Sequence, residues 1–190
     1  MNLDNIEDRL LAAPRDPEVQ ARMERLRALG IGTEPDPDFD AFAAKLAQIT
    51  GAPFAMVNFI NDREQYFAGL FTPSSTQRGA ALQAAQASEH AGVSRTMGLD
   101  HGFCPHVVVR RKALVLDDVC DYPRFVGNPV IDKLGIRTYL GAPLIDRTGT
   151  ALGTICVIDT QPRSWGRAGL NTIKGLANEL VEQLNRRPQR

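Results

Sequence analysis

Two apolar runs joined by a short polar turn constrain the fold of this chain more than any other feature. Residues 139–145 and 151–158 are apolar at nearly every position, and the turn between them includes Gly149. This pattern predicts a β-hairpin. Because both faces of each run are apolar, we expect the hairpin at the centre of a sheet that is covered on both sides. Pro143 has no N–H to donate, so we predict a bulge or a strand margin at that position.

The segments around this hairpin predict the layers that cover it. Apolar residues at helical spacing predict helices over 17–29, 38–50 and 167–185, the second with Phe39, Phe42, Leu46 and Ile49 on one side. Residues 54–60 and 64–70 predict a second hairpin, and 113–116 predict a short strand. The fold class is therefore α+β, with helices flanking a mostly antiparallel sheet of five or six strands. We assign residues 1–35 to an N-terminal helical extension and 36–190 to the main domain.

The segment 71–101 has no clear strand and only a weak helical tendency, and it is rich in Ser, Thr, Gln, Gly and Ala. A connection of this length inside a compact domain is usually a lid, a binding loop or partly disordered. A short helix over 103–110 follows, with Pro105 in its first turn. Residues 121–134 predict a loop and then about one turn of helix.

Composition excludes several classes of partner. The chain has 22 basic and 22 acidic residues, so no overall field attracts nucleic acid or an anionic membrane, and we expect neither as a partner. No apolar run approaches the ~20 residues of a membrane span, and the N-terminus lacks a signal-peptide pattern. We therefore expect a cytoplasmic protein. Three cysteines without a CxxC pair fit neither a disulfide framework nor a structural zinc site.

Four sequence strings together resemble a bacterial branch of the GAF domain family over about 38–184. They are F-C-P-H at 103–106, D-Y-P-R-F-V-G-N-P at 121–129, G-I-R-T-Y-L-G-A-P-L from Gly135 and L-G-T-I-C-V-I-D from Leu152. The resemblance implies a six-stranded antiparallel sheet with terminal helices on one face. It also implies loops and short helices that enclose a ligand pocket on the other face, and dimers formed through the terminal helices. The resemblance does not identify the ligand, because one fold can carry many different binding sites. The cofactor is therefore unknown.

Cys104 and His106 are the first candidates for chemistry, and two interpretations stay open. In one, a helix N-terminus and the imidazole lower the pKa of the thiol, which then suits redox sensing or nucleophilic attack. In the other, Cys104 is a small buried side chain and His106 holds a loop. Positions two apart do not share a face of a helix, whereas in an extended segment they do. Metal binding by His90, His101, His106 and Cys104, or haem held by His101 or His106, is not favoured because the spacing matches no structural zinc pattern and no second motif supports haem.

Polar residues in apolar strands complete the predicted ligand site. Asn58 lies in the strand FAMVNFI, where an unpaired buried amide costs roughly 1–3 kcal/mol, so it needs a partner. Tyr139 combines an aromatic body with a polar tip, and Arg137 is the nearest cation to the start of that strand. We predict the following ligand-binding residues: Asn58, His101, Phe103, Cys104, His106, Arg137 and Tyr139.

The other two cysteines are predicted to be inert. Cys156 lies within an apolar strand and is expected to fill the core. Cys120 lies among carboxylates, which disfavour a thiolate, so low reactivity is expected.

The sequence predicts a stand-alone sensory module in signal transduction rather than an enzyme. It would bind a small molecule between the sheet and the lid, form a homodimer through the terminal helices, and act on a downstream signalling protein. One alternative is a redox sensor, or an enzyme resembling free methionine-R-sulfoxide reductases, that uses Cys104. That resemblance requires a further cysteine near 127–129, which the sequence lacks. The other alternative is a dimeric scaffold with a vestigial pocket, in which helices 17–29 and 167–185 pair because their apolar stripes need cover.

Overall fold

A computed structural model describes residues 13–73 and 94–187. Within these residues, six strands form one antiparallel sheet in the order β3-β2-β1-β6-β5-β4. The strands are β1 (Phe54–Ile60), β2 (Glu64–Phe71), β3 (Thr96–Gly98), β4 (Leu114–Leu116), β5 (Thr138–Ile145) and β6 (Ala151–Asp159). The α-helices are α1 (Val19–Ala28), α2 (Pro37–Thr50), α3 (Cys104–Arg110), α4 (Pro129–Asp132) and α5 (Gly166–Arg186). The predicted α+β class is confirmed.

The predicted central hairpin is β5 and β6. β6 lies between β1 and β5, and every residue of it is buried. Pro143 lies inside β5 opposite Thr154, and an irregularity in the register follows between Leu144 and Ile145. On its other side β5 pairs with β4 only as far as Gly141. Pro143 lies beyond the part of β5 that pairs with β4, so on that side no hydrogen bond from its N–H is needed.

Alternation along β6 separates two cores, one on each face of the sheet. Ile155 and Val157 belong to the core that α2 and α5 cover, together with Leu26 of α1. Cys156 and Ile158 belong to the second core, which α3, α4 and the loops around them cover. The layer of short elements over the second face is where the candidate site lies.

The helix α2 shows how local sequence sets its bounds and its buried face. Its N-cap is Asp36, whose side chain accepts a hydrogen bond from the Asp38 backbone N–H at 2.9 Å, and Gly51 ends it with φ 68°. The prediction for Ile49 was wrong, because its side chain is 51% exposed. The buried stripe follows Ala43 and Ala47, and a residue two positions after Ala47 points away from the sheet.

The segment 71–101 contains a strand that the sequence did not predict. β3 pairs with the first residues of β2. Three residues are too few to show a period of two, so only the pairing defines this strand. Most of the predicted lid, with His90, lies outside the described residues.

A buried arginine fixes α1 to the central strand. Arg22 is fully buried, and its Nε donates to the carbonyl oxygen of Ala151 at 2.5 Å. Its Nη1 pairs with Asp16 at 2.5 Å. Leu26 and Leu29, from the predicted apolar stripe, are buried on the same side of the helix. The extension thus packs on the sheet, and the division at residue 35 stays a prediction.

The apolar faces of the terminal helices are covered by the chain itself. In α5 the buried residues include Ile173, Leu176, Leu180 and Leu184. Their stripe therefore does not require a second chain. No helix in the described part of the chain is long and apolar enough to cross a membrane.

We predict that Arg22→Ala lowers the free energy of unfolding by about 3 kcal/mol, because it leaves a buried carbonyl and a half-buried carboxylate without their partner. Urea denaturation checks this, as a lower midpoint with an unchanged slope. Arg27→Ala is the control, because Arg27 lies on the exposed side of the same helix and its loss should change stability by less than about 0.5 kcal/mol. Equal stability of the two variants would contradict the anchoring role of Arg22.

Candidate functional site

A narrow apolar cavity lies between the sheet and the short elements of the second face. It offers about 40 Å³ of free space, room for roughly two or three water molecules. None of the described residues that line it is charged. The lining residues are Phe54, Met56, Gln65, Phe67, Leu70, Thr72, Met97, Gly102, Phe103, Cys104, Val130, Leu134, Ile136, Tyr139, Cys156 and Ile158.

A reciprocal pair of hydrogen bonds sets the start of α3. The Gly102 N–H donates to Asn128 Oδ1 at 2.9 Å, and Asn128 Nδ2 donates to the Gly102 carbonyl oxygen at 3.0 Å. Gly102 has φ 72°, a conformation that glycine adopts without strain. Pro105 then occupies the first turn of the helix, as predicted. The result is that Phe103 and Cys104 both face the sheet and line the cavity.

The side chain of Tyr139 lies flat along its own strand, over Gly141. A Cβ atom on Gly141 would be 2.2 Å from the Tyr139 hydroxyl oxygen. Gly141 pairs with Cys156 across the sheet, so the hydroxyl group lies close to that residue. The Tyr139 ring contacts Phe103, with centroids 5.1 Å apart, and its hydroxyl is 3.3 Å from the sulfur of Cys104. The absence of a side chain at Gly141 thus positions a polar group beside the thiols.

Cys104 and Cys156 are in contact, although the sequence predicted Cys156 as core filler only. Their sulfur atoms are 3.6 Å apart in a hydrogen bond between thiols, and both side chains are buried. Contact with the Cys156 thiol lowers the pKa of Cys104 to about 6 against the opposing effect of burial, and the nearby polar side chains of Thr154, Tyr139 and Asn58 add to the lowering. The same hydrogen bond, together with burial, raises the pKa of Cys156 well above its usual range.

A chain of buried amides lies beside the two thiols. Asn58 Nδ2 donates to Gln65 Oε1 at 3.0 Å. Gln65 Nε2 donates to the carbonyl oxygens of Gly98 and His101, both at 2.7 Å. The side chain of Asn58 thus finds the partner that the sequence required, and Gln65 links the sheet to the loop after β3. Asn58 Oδ1 and the Thr154 hydroxyl are buried without a hydrogen-bond partner in the described structure.

The two predicted histidines do not line the cavity. His101 supplies only its backbone carbonyl to the amide chain, and its imidazole Nδ1 lies 2.7 Å from Asp100 Oδ1. The imidazole of His106 packs edge-on against Phe125, with ring centroids 5.4 Å apart. Burial lowers the pKa of His106, and the positive charges of Arg124 and Arg110 lower it further. His106 is not among the groups that set the pKa of Cys104, because residues 104 and 106 lie on different faces of α3.

Arg137 also lies outside the cavity and has a structural contact. Its guanidinium donates two hydrogen bonds to the carboxylate of Asp118, which lowers the pKa of Asp118. Of the seven predicted ligand-binding residues, Phe103, Cys104 and Tyr139 line the cavity and Asn58, His101, His106 and Arg137 do not; ligand binding by all seven stays a prediction. Within the described ranges no three His, Cys, Asp or Glu side chains come together as metal ligands.

The site includes residues that the sequence analysis missed, namely Gln65, Asn128, Thr154 and Cys156. One signal was available for two of them. Thr154 and Cys156 are two positions apart in the central strand, so the period of two places their hydroxyl and thiol groups on the same face of the sheet. What the sequence did not supply was the position of α3 over that face.

Comparison with known proteins gives the family. One face of the sheet is covered by the long helices, and the other lies against the cavity. The model of the GAF domain family matches residues 34–184. The chain therefore belongs to the GAF domain family.

Three similar proteins illustrate the range of this fold. A cyclic di-GMP phosphodiesterase of Pseudomonas aeruginosa is 28% identical over 158 residues, which cover 80% of this chain but only 23% of that relative. This chain thus spans about a quarter of the length of that curated relative. A putative GAF sensor protein from Burkholderia vietnamiensis is 17% identical, with a TM-score of 0.54 and coverage of 98% of this chain and 99% of the other. The free methionine-R-sulfoxide reductase of Neisseria meningitidis is 14% identical, with a TM-score of 0.57 and coverage of 92% and 96%.

We predict that Gly141→Ala destabilises the protein by about 1–3 kcal/mol, because the new methyl group displaces the buried side chain of Tyr139. Thermal or urea unfolding measures the change. Gly175→Ala is the matched control, since Gly175 lies in α5 with no heavy atom within 4 Å of the added Cβ. That substitution should stabilise the helix by about 0.5–1 kcal/mol. The same sign of change in both variants would contradict the packing described for Tyr139.

Proposed function

We propose that this chain is a sensory GAF module in signal transduction that binds a small molecule in the cavity between the sheet and α3. The observation that carries the proposal is the cavity itself, enclosed by apolar side chains with a few polar groups converging at Tyr139, Cys104 and Gln65. Binding sites for small molecules combine these two features. Membership of a family of sensor domains supports the same function.

The chemistry of the lining restricts the ligand to a small, uncharged and largely apolar molecule. Among the described lining residues, a phosphate group inside the cavity would lose its hydration without meeting a cation, at a cost of several kcal/mol per charge. The ligand of this site is therefore not a cyclic nucleotide held by its phosphates, although one relative is a cyclic di-GMP phosphodiesterase. The free space is small, and the half-buried side chains of Met97, Leu134 and Leu70 are the parts of the lining able to move aside.

Dimerisation through the terminal helices and action on a downstream signalling protein in the cytoplasm are further parts of the proposal. The apolar stripes that suggested a dimer are covered within the chain, which removes the main argument for a scaffold with a vestigial pocket. A homodimer through the terminal helices α1 and α5 therefore has to use their outer faces. A monomer at micromolar concentration in light scattering would contradict this part.

A thiol enzyme is the second candidate, favoured by the low pKa of Cys104 at the edge of the cavity. The likeness to the methionine sulfoxide reductase is one of fold, and the third cysteine expected near 127–129 is absent from the sequence. We therefore propose a binding function without turnover. Thiol-dependent reduction of free methionine sulfoxide that is lost in Cys104→Ser would overturn this conclusion.

We predict that small neutral compounds stabilise the reduced protein. Alcohols of increasing size, from 2-propanol to benzyl alcohol, serve as probes, with cyclic di-GMP as the charged comparison. Each kcal/mol of binding free energy should raise Tm by about 2–4 °C. Differential scanning fluorimetry measures the shift, and cyclic di-GMP should give none.

Two tryptophan variants test whether the shift comes from the cavity. Met97→Trp places a large ring among the lining residues and should abolish the effect of the neutral probes. Met23→Trp changes a half-buried methionine on α1, far from the cavity lining, and should keep it. The proposal fails if no neutral compound stabilises the parent protein, or if Met97→Trp responds like the parent.

A further inference from the structure

The thiols of Cys104, on α3, and Cys156, on β6, are in contact at the wall of the cavity. The proposed binding of a neutral molecule does not require either thiol. The sulfur atoms of Cys104 and Cys156 are 3.6 Å apart, and both residues line the cavity. A disulfide needs a separation of ~2.05 Å, so an approach of roughly 1.5 Å would join them. We propose that Cys104 and Cys156 are a redox pair that hydrogen peroxide, entering through the cavity, converts into an internal disulfide.

The burial of the pair defines which oxidants can reach it. Cys156 has no exposed surface and Cys104 is only 5% exposed, so a reagent must pass through the cavity. The free space accepts a molecule the size of two or three waters, and none of the described residues that line it is Asp, Glu, Lys, Arg or His. Hydrogen peroxide is small and uncharged, and it meets both conditions. Glutathione disulfide and thioredoxin-like proteins are too large, which separates this pair from sites of thiol exchange.

The surroundings give the two sulfur atoms different roles. Cys104 is the more exposed of the two and lies 3.3 Å from the Tyr139 hydroxyl, and its lowered pKa favours the thiolate. Cys156 keeps its proton, because its pKa is raised. The thiolate is the nucleophile in peroxide chemistry. Cys104 is therefore the attacking residue and Cys156 the resolving one.

The reaction consumes one peroxide for each pair. The Cys104 thiolate attacks one oxygen of the peroxide, so that an S–O bond forms, the O–O bond breaks, and hydroxide leaves and takes up a proton to become water. The product at Cys104 is a sulfenic acid. The sulfur of Cys156 then attacks the sulfur of Cys104, the S–S bond forms, and the S–O bond breaks. The departing oxygen leaves as water with the proton of the Cys156 thiol, so the two cysteines lose two electrons and the peroxide becomes two waters.

The disulfide would move α3 rather than the sheet. β6 is paired with β1 on one side and β5 on the other, so Cys156 is held in place. Cys104 is the first residue of a short helix, and Phe103 before it contacts Tyr139. Movement of Cys104 toward β6 therefore carries Phe103 into the cavity. Oxidation then lowers the affinity of the cavity for a neutral ligand, a consequence that depends on the proposed sensory function, whereas formation of the disulfide does not.

The test uses the full chain with Cys120→Ser, which removes the exposed third thiol. The reduced protein is treated with one equivalent of hydrogen peroxide, unfolded in an alkylating agent, digested and analysed by mass spectrometry. The expected main product is a peptide pair linked through Cys104 and Cys156, with both free thiols lost together and restored by dithiothreitol. The unmodified chain is measured in parallel, so the linked peptide decides the question even if a variant folds poorly.

Single variants test the assigned roles. Cys156→Ser should give Cys104 carrying added oxygen and no linked peptide, and Cys104→Ser should leave Cys156 unmodified. Two thiols that survive the peroxide, disulfides between chains only, or oxygenated Cys104 beside free Cys156 in the Cys120→Ser chain would each overturn the proposal. The alcohol probes are used on reduced protein without peroxide, so the sensory function and the redox pair can fail separately.

Discussion

The complete burial of the central strand is the constraint on which the rest of the structure depends. β6 has no residue open to water, so the chain must supply a layer on each face of the sheet. One layer is made of long helices packed on Ile155 and Val157. The other is made of short helices and turns, which cover Cys156 and Ile158 less regularly. Regular helices fill their side of the sheet, whereas short elements with tight turns leave a gap, and the cavity is that gap.

The sequence was sufficient for the elements because their signals are local. The turn at Gly149, the proline in the first turn of α3 and the apolar spacing of α5 each predict an element without knowledge of its neighbours. The strand β3 was missed for the same reason. It is defined by its pairing with β2 and not by a pattern of its own. Ile49 was placed wrongly because two small residues, Ala43 and Ala47, set the buried face of α2.

The site depended on contacts that no local pattern contains. Cys104 was identified from its position, and one of the two open interpretations paired it with His106, two residues away, whereas the structure places it against Cys156, in a distant strand. The proximity of the two sulfur atoms requires the register of β5 and β6, the empty position at Gly141 and the turn before α3. Each of these can be named in the sequence, and only their combination in space brings the thiols together. Residue identity thus pointed to Cys104 as a candidate, and the fold determined which groups it meets.

The paired hydrogen bonds between Asn128 and Gly102 connect α3 and α4, the two short helices that cover the cavity. The Asn128 side chain holds both the N–H and the carbonyl of Gly102 in the turn before α3, and its Oδ1 also accepts a hydrogen bond from the Val130 N–H at the start of α4. Separating Asn128 from Gly102 would leave polar groups without hydrogen-bond partners, at a cost of about 1–3 kcal/mol for each group. The starts of α3 and α4 are therefore held by the same amide group, so the two helices form one connected layer over the cavity.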